Sequence, residues 1–340
     1  MRTLANISLW FLLTAFLACQ QEPTIVKKAA FEWDLPAGFA EPIVPANNEM
    51  TVDRVRLGKM LFFDPILSVD STMSCSSCHL AEAGFADHHS ISLGVEGRVG
   101  ARNAPTLTNI GYHPYFFREG GSPTLEQQVL GPICNNLEMG FNAALLAERL
   151  KAHPIYEPLA QESYGREIGL FVLTRAIASY ERTMISGDSP YDRFSRGEDP
   201  NALSAAAQRG LALFKSERAN CTQCHGGTDF SLYDFANNGL YDSFLDQGRY
   251  AITLDSADIG KFKVPTLRNI ALSWPYMHDG SLKSLEEVVD HYNRGGQGHV
   301  NQSSSVRPLG LDQSEIADLV AFLESLTDEK FVNNPAFAPE

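Results

Sequence analysis

The sequence predicts a mainly α-helical protein built from two homologous modules. Three observations carry that prediction. Apolar residues recur at helical spacing in several segments, strand-like alternation is scarce, and one series of motifs occurs twice in the same order. The first half reads Gly58-Lys-Met-Leu-Phe-Phe-Asp64, Cys75-Ser-Ser-Cys78-His79, Pro105-Thr-Leu-Thr-Asn-Ile110, Pro114-Tyr115 and Thr124-Leu-Glu-Gln-Gln-Val129. The second half reads Gly210-Leu-Ala-Leu-Phe-Lys215, Cys221-Thr-Gln-Cys224-His225, Pro265-Thr-Leu-Arg-Asn-Ile270, Pro275-Tyr276 and Ser284-Leu-Glu-Glu-Val-Val289. A repeat on this scale means two modules, not one domain with two sites. We place them at 46–200 and 201–330, with a short tail over 331–340.

The elements follow in order. Residues 1–18 read as a signal peptide, with Arg2 before a short apolar run from Ile7 to Ala18. Cys19 directly after it resembles the acylated cysteine of a bacterial lipoprotein, with plain secretion as the alternative. Either way the chain is exported, so we expect a periplasmic protein that a lipid on Cys19 could anchor. Residues 19–45 are Pro-rich and aperiodic and read as a linker or surface arm. A helix is expected over 124–131, with Ser122-Pro123 before it and proline at its first turn. Further helices are expected over 168–184 and 204–215. Asp312 and Glu315 form a capping-box start to a helix that runs through Leu326. Long loops fill the rest of each module.

Composition narrows the function. The 340 residues are 44% hydrophobic and 20% charged, enough for real cores, and the net charge is −14. An acidic chain of this kind is not a nucleic-acid binder, but it can meet a basic partner. No apolar run reaches the roughly 18 residues that span a bilayer.

The cysteines decide the class. Of the six, Cys75, Cys78, Cys221 and Cys224 form two C-x-x-C pairs, each followed at once by a histidine, His79 and His225. This is the attachment motif of c-type haem. Two thiols three residues apart add to the two vinyl groups of one porphyrin, and the next residue offers its imidazole to the iron. Positions i, i+3 and i+4 share one helical face. A zinc site built from two C-x-x-C pairs would separate them by roughly 15–20 residues, whereas about 140 residues intervene here. Each module is therefore expected to be a small cytochrome c-like domain with its loops wrapped around one haem. Cys134 reads as a free buried thiol.

In combination, the two CxxCH motifs, Arg102-Asn-Ala-Pro-Thr-Leu107, Leu125-Glu-Gln-Gln-Val-Leu-Gly-Pro132 followed by Glu138-Met-Gly140, Pro265-Thr-Leu-Arg-Asn-Ile270, Pro275-Tyr-Met-His-Asp-Gly280 and Leu285-Glu-Glu-Val-Val-Asp-His-Tyr-Asn293 resemble the bacterial dihaem cytochrome c peroxidase / MauG family. The likeness covers roughly residues 50–328. It implies a peroxidatic N-terminal haem and a C-terminal haem that handles electrons.

The resemblance also assigns roles. Near the second haem, Met277, His278, His291 and Tyr292 are candidate iron ligands, and generic chemistry favours Met277. The family register favours Tyr292, where peroxidases of the family have methionine and MauG-like members have tyrosine. The repeat adds an independent point: seven residues after the matched leucines stand Tyr292 in one half and Pro132 in the other. One iron can be capped by oxygen, while the other faces a side chain that cannot bind it. Gln128, Pro132 and Glu138 match the family's distal glutamine, proline and glutamate. A carboxylate in a desolvated pocket can take a proton from one peroxide oxygen and deliver it to the other, and Gln128 would orient the peroxide. Val95 stands where many relatives carry a histidine that blocks the resting peroxidatic haem. His88, His89 and His113 are read as solvent-facing or supporting histidines.

One departure concerns the tryptophan that the family usually places between the haems. Arg118 aligns there, leaving Phe117, Trp274 or direct haem proximity to carry electrons. The resemblance further implies one calcium ion between the modules, held by the Asn103 side chain and the carbonyls of Ser273 and Pro275, with waters. The expected partners are hydrogen peroxide and a small cytochrome or other redox protein as donor, and self-association into a homodimer is a further expectation. Three functions are carried forward: a cytochrome c peroxidase that reduces hydrogen peroxide, a MauG-like oxidase that modifies a protein substrate, and a non-enzymatic dihaem electron carrier.

Overall fold

A computed structural model describes residues 29–339. The leader, Cys19 and the first part of the arm lie outside the described residues. The fold is mainly helical, as expected. The N-terminal module contains α1 (Val52–Phe63), α2 (Leu125–Gln128), α3 (Leu130–Cys134), α4 (Ala143–Ala152), α5 (Tyr156–Tyr164) and α6 (Leu170–Glu181), followed by the short α7 (Pro190–Ser195). The C-terminal module contains α8 (Ala205–Phe214), α9 (Tyr250–Thr253), α10 (Leu285–Arg294) and α11 (Gln313–Glu324), and then α12 (Glu329–Val332). The described β structure is one antiparallel pair of two-residue strands, β1 (Phe235–Ala236) and β2 (Phe262–Lys263), plus isolated bridges.

The repeat in sequence is a repeat in packing. In each module the first long helix crosses the last one at a glycine. A Cβ on Gly58 of α1 would lie 1.9 Å from the Ala176 carbonyl of α6, and a Cβ on Gly210 of α8 would lie 1.9 Å from the Asp318 carbonyl of α11. Only glycine lets two helix backbones approach so closely. Asn109 and Asn269, also matched, both sit in the left-handed region at φ 59° and 58°, which asparagine tolerates. Each clasps the chain just past its module's last helix: Asn109 accepts from Ser186 N at 2.8 Å and Asn269 from Asp328 N at 2.8 Å.

Several local expectations need adjustment. The helix expected over 124–131 is two pieces, α2 and α3, which break at Val129. Pro132 has no N–H to continue the ladder. Thr124 caps α2 by accepting from Gln127 N, so Pro123 lies before the cap and not in the first turn. The capping box at Asp312 and Glu315 is present, and α11 ends at Glu324. Cys134 is exposed, not buried, because it closes α3 at the surface.

The segment after 330 is not a free tail. Phe331 and Phe337 are buried in the core of the N-terminal module, each with its ring centroid 5.5 Å from that of Phe85. The described part of the arm also packs. Phe39 lies against Tyr112 of the first module, and the Arg268 guanidinium of the second stands 5.1 Å from its ring.

Candidate functional site: two histidine-anchored pockets

Each CxxCH begins in a short 3₁₀ turn, Cys75–Ser77 and Cys221–Gln223. That turn brings the histidine back over the first cysteine: His79 N donates to Cys75 O at 3.1 Å, and His225 N donates to Cys221 O at 2.9 Å. Both imidazoles are then pinned through Nδ1, His79 to the Phe85 carbonyl at 2.9 Å and His225 to the Phe230 carbonyl at 3.0 Å. Burial holds both histidines below the usual imidazole range, and therefore neutral. A metal-binding histidine is commonly held this way, with one nitrogen tied to a carbonyl and Nε2 left for the metal.

All four thiols are free, not paired as disulfides. Burial pushes Cys224 up and Cys78 up to about 11, and the Cys75 and Cys221 thiols pack against the two apolar cores. Two unpaired thiols and one oriented, neutral imidazole per module fit a covalently attached c-type haem.

The groups around the two sites differ. In the first module Glu138 lies close enough to Cys78 to raise that thiol. Its own carboxyl is held above the usual carboxylate range by burial, against a stabilising bond from Asn135 Nδ2 to Oε1 at 2.7 Å. The Glu138 loop folds back on α3, with Met139 N donating to the Pro132 carbonyl at 3.1 Å and Phe141 N to the Ile133 carbonyl at 2.8 Å. On its other side Val95 N donates to the Glu138 carbonyl at 2.8 Å, and Val95 is buried. Gln128 ends α2 and is half-buried one turn before Pro132.

In the second module α10 runs unbroken through Tyr292. Burial pushes the Tyr292 phenol up to about 12 while Asn238 opposes the shift, and Cys221 and Cys224 lie near enough to add to it. The same Asn238 donates from Nδ2 to Met277 Sδ at 3.2 Å, and its carbonyl lies 3.0 Å from His291 Nε2. His278 instead stacks on Phe262, with centroids 4.2 Å apart. Asn135 is signalled only by its position three residues before Glu138, and nothing in the sequence points to Asn238.

The remaining histidines have local partners. His88 stacks on Trp274 at 4.4 Å, His89 bonds Asp87 at 2.8 Å, and His113 Nδ1 lies 2.8 Å from Lys263 Nζ. Phe117 packs over Gly131, where an added Cβ would lie 2.3 Å from its ring.

Of the residues expected to hold calcium, Asn103 already has partners for both of its oxygens. The Asn103 side-chain oxygen accepts from Arg118 Nη2 at 2.7 Å and its main-chain carbonyl from Arg118 Nε at 3.0 Å. Among the described residues no group of three or more His, Cys, Asp or Glu side chains is placed to hold a metal ion.

Two helical modules, each with a CxxCH turn and an oriented histidine, define a dihaem c-type cytochrome. The profile of the family described as di-haem cytochrome c peroxidase matches residues 52–200, and the cytochrome c profile matches residues 207–327. The methylamine utilization protein MauG of Methylorubrum extorquens is 39% identical over 288 residues, 84% of this chain and 81% of that protein. The cytochrome c551 peroxidase of Nitrosomonas europaea is 34% identical over 297 residues, 85% of each chain. The crystal structure of a MauG-like protein associated with microbial copper homeostasis superposes with a TM-score of 0.86 at 35% identity, covering 91% of this chain and 99% of that one. The chain belongs to the di-haem cytochrome c peroxidase / MauG family. It is an enzyme of the haem peroxidase class and carries two c-type haems. Among the described residues no helix is long and apolar enough to cross a membrane.

Proposed function

We propose that the protein reduces hydrogen peroxide at the N-terminal haem, with electrons from an external redox protein passed through the C-terminal haem. Cys75, Cys78 and His79 would hold the first haem, and Cys221, Cys224 and His225 the second. The first haem would supply the iron that binds peroxide, and peroxide itself is the two-electron oxidant.

The protein's part at the first site is proton handling. Glu138 takes a proton from one peroxide oxygen at a carboxylate oxygen and returns it to the other, which leaves as water. Asn135 fixes the Glu138 Oε1 atom, and Gln128 orients the peroxide. Pro132 would leave the first haem iron without a side-chain ligand from α3, and buried Val95 would offer none from the loop after the CxxCH. At the second site Tyr292 would supply an oxygen donor to the haem iron, while Met277 Sδ accepts from Asn238 Nδ2. The observation that carries this reading is the contrast between Pro132 in a broken helix and Tyr292 in the matched, unbroken one. The chain acts in the periplasm, after export.

Tyr292 supports a second reading, a MauG-like peroxide-dependent oxidation of a protein substrate. A phenolate favours high iron oxidation states, whereas methionine raises the potential. Steady-state turnover separates the two. Peroxide consumption with a reduced small cytochrome as the only reductant supports the first. Peroxide-driven change that requires one partner protein supports the second. Two six-coordinate haems that do not react with peroxide would leave a plain electron carrier.

A further inference from the structure

We infer that the Arg118 guanidinium is the resident cation between the two modules, and that the protein joins them without calcium. Asn103 is buried, and all of its polar groups are spoken for. Its oxygens accept from Arg118 Nη2 at 2.7 Å and Nε at 3.0 Å. Its side-chain nitrogen donates to the His89 carbonyl at 3.0 Å, and its main-chain N donates to the His278 carbonyl at 2.9 Å. Asn103 and His89 belong to the first module and His278 to the second, so this residue ties the two together. Arg118 does the same, since its carbonyl accepts from Lys263 N at 2.6 Å.

Arg118 lies among charges of both signs: Arg102 on one side and Asp279, Glu119 and Asp246 on the other. Arg102 is itself paired with Glu119 and with Asp246 across the modules. A calcium ion needs six to eight oxygens, yet the oxygen offered by Asn103 already faces a planar five-donor fork that suits it. The ion would have to displace that fork before it could reach either Asn103 oxygen.

The test uses the haem-loaded wild-type protein and an Arg118→Leu variant. Metal content is measured by mass spectrometry against iron, and melting and low-temperature EPR are recorded with and without EGTA. The expected wild type has calcium far below one per chain, and EGTA changes neither its melting nor its haem signals. Arg118→Leu is expected to melt lower in EGTA and to show altered haem signals. One calcium per chain in the wild type, a wild type whose spectra change with EGTA, or a Leu variant that matches the wild type in every readout would each overturn the inference. The wild-type measurements decide it even where the variant does not fold.

Discussion

The main-chain N–H of Val95 donates to the carbonyl of Glu138 at 2.8 Å. One bond thus joins the loop after the first CxxCH to the loop that carries the carboxylate. Val95 is buried and apolar, and its main chain holds the Glu138 loop. Gly140 sits under the same valine, with its would-be Cβ 3.2 Å from Val95 Cγ2.

Glu138→Ala should retain both haems and lose peroxide reactivity by about 10²–10⁴-fold, the usual worth of a positioned acid–base group. Burial holds this carboxyl above its ordinary value of 4.5. The base form is populated only above that raised pKa, so the wild-type rate of reaction with peroxide should fall as pH drops through it. Stopped-flow rates against pH check both points. An acid limb that survives in the variant would show that another group is titrating.

Tyr292→Phe should change the low-spin EPR signal of the second haem and leave the first untouched, whereas Met277→Leu should change it little. The reverse pattern would make Met277 the ligand. Asn238→Leu removes the donor to Met277 Sδ, and should shift the signal of the second haem alone.

Gly58→Ala and Gly210→Ala should each destabilise their module, because the new Cβ meets a backbone carbonyl that cannot step aside. Overpacking of this kind costs about 1–3 kcal/mol. Thermal melting monitored at the haem bands should show both variants shifted down, and similar shifts at the two sites would reflect the repeat.

Phe337 is 6% exposed, and Phe337→Ala should cost about 3–5 kcal/mol. The loss should reach the first haem, because Phe85 both packs on Phe337 and accepts the bond from His79. The expected outcome is a lower melting temperature with a perturbed signal from the first haem and a normal one from the second.

The cofactor chemistry, the doubled architecture and the main helices were legible because each rests on local sequence. A CxxCH turn, a capping box at Asp312 and an apolar stripe in α6 depend on residues a few positions apart. What was hidden depends on distant partners. Phe331 and Phe337 have no periodicity, and only the fold reveals the aromatic pocket around Phe85. Asn238 gains its role from Met277 and Tyr292, far along the chain. Arg118 could be read as a missing tryptophan, but not as the partner of Asn103. The split between α2 and α3 is signalled by Pro132, one residue past the helix expected over 124–131.

Low-temperature EPR of the resting, fully oxidised protein tests the central asymmetry most directly. The expected spectrum holds one high-spin ferric haem and one low-spin ferric haem, and only the high-spin signal responds at first to peroxide. Two low-spin signals that are unchanged by peroxide and by prior reduction would contradict an open first site and leave only electron transfer.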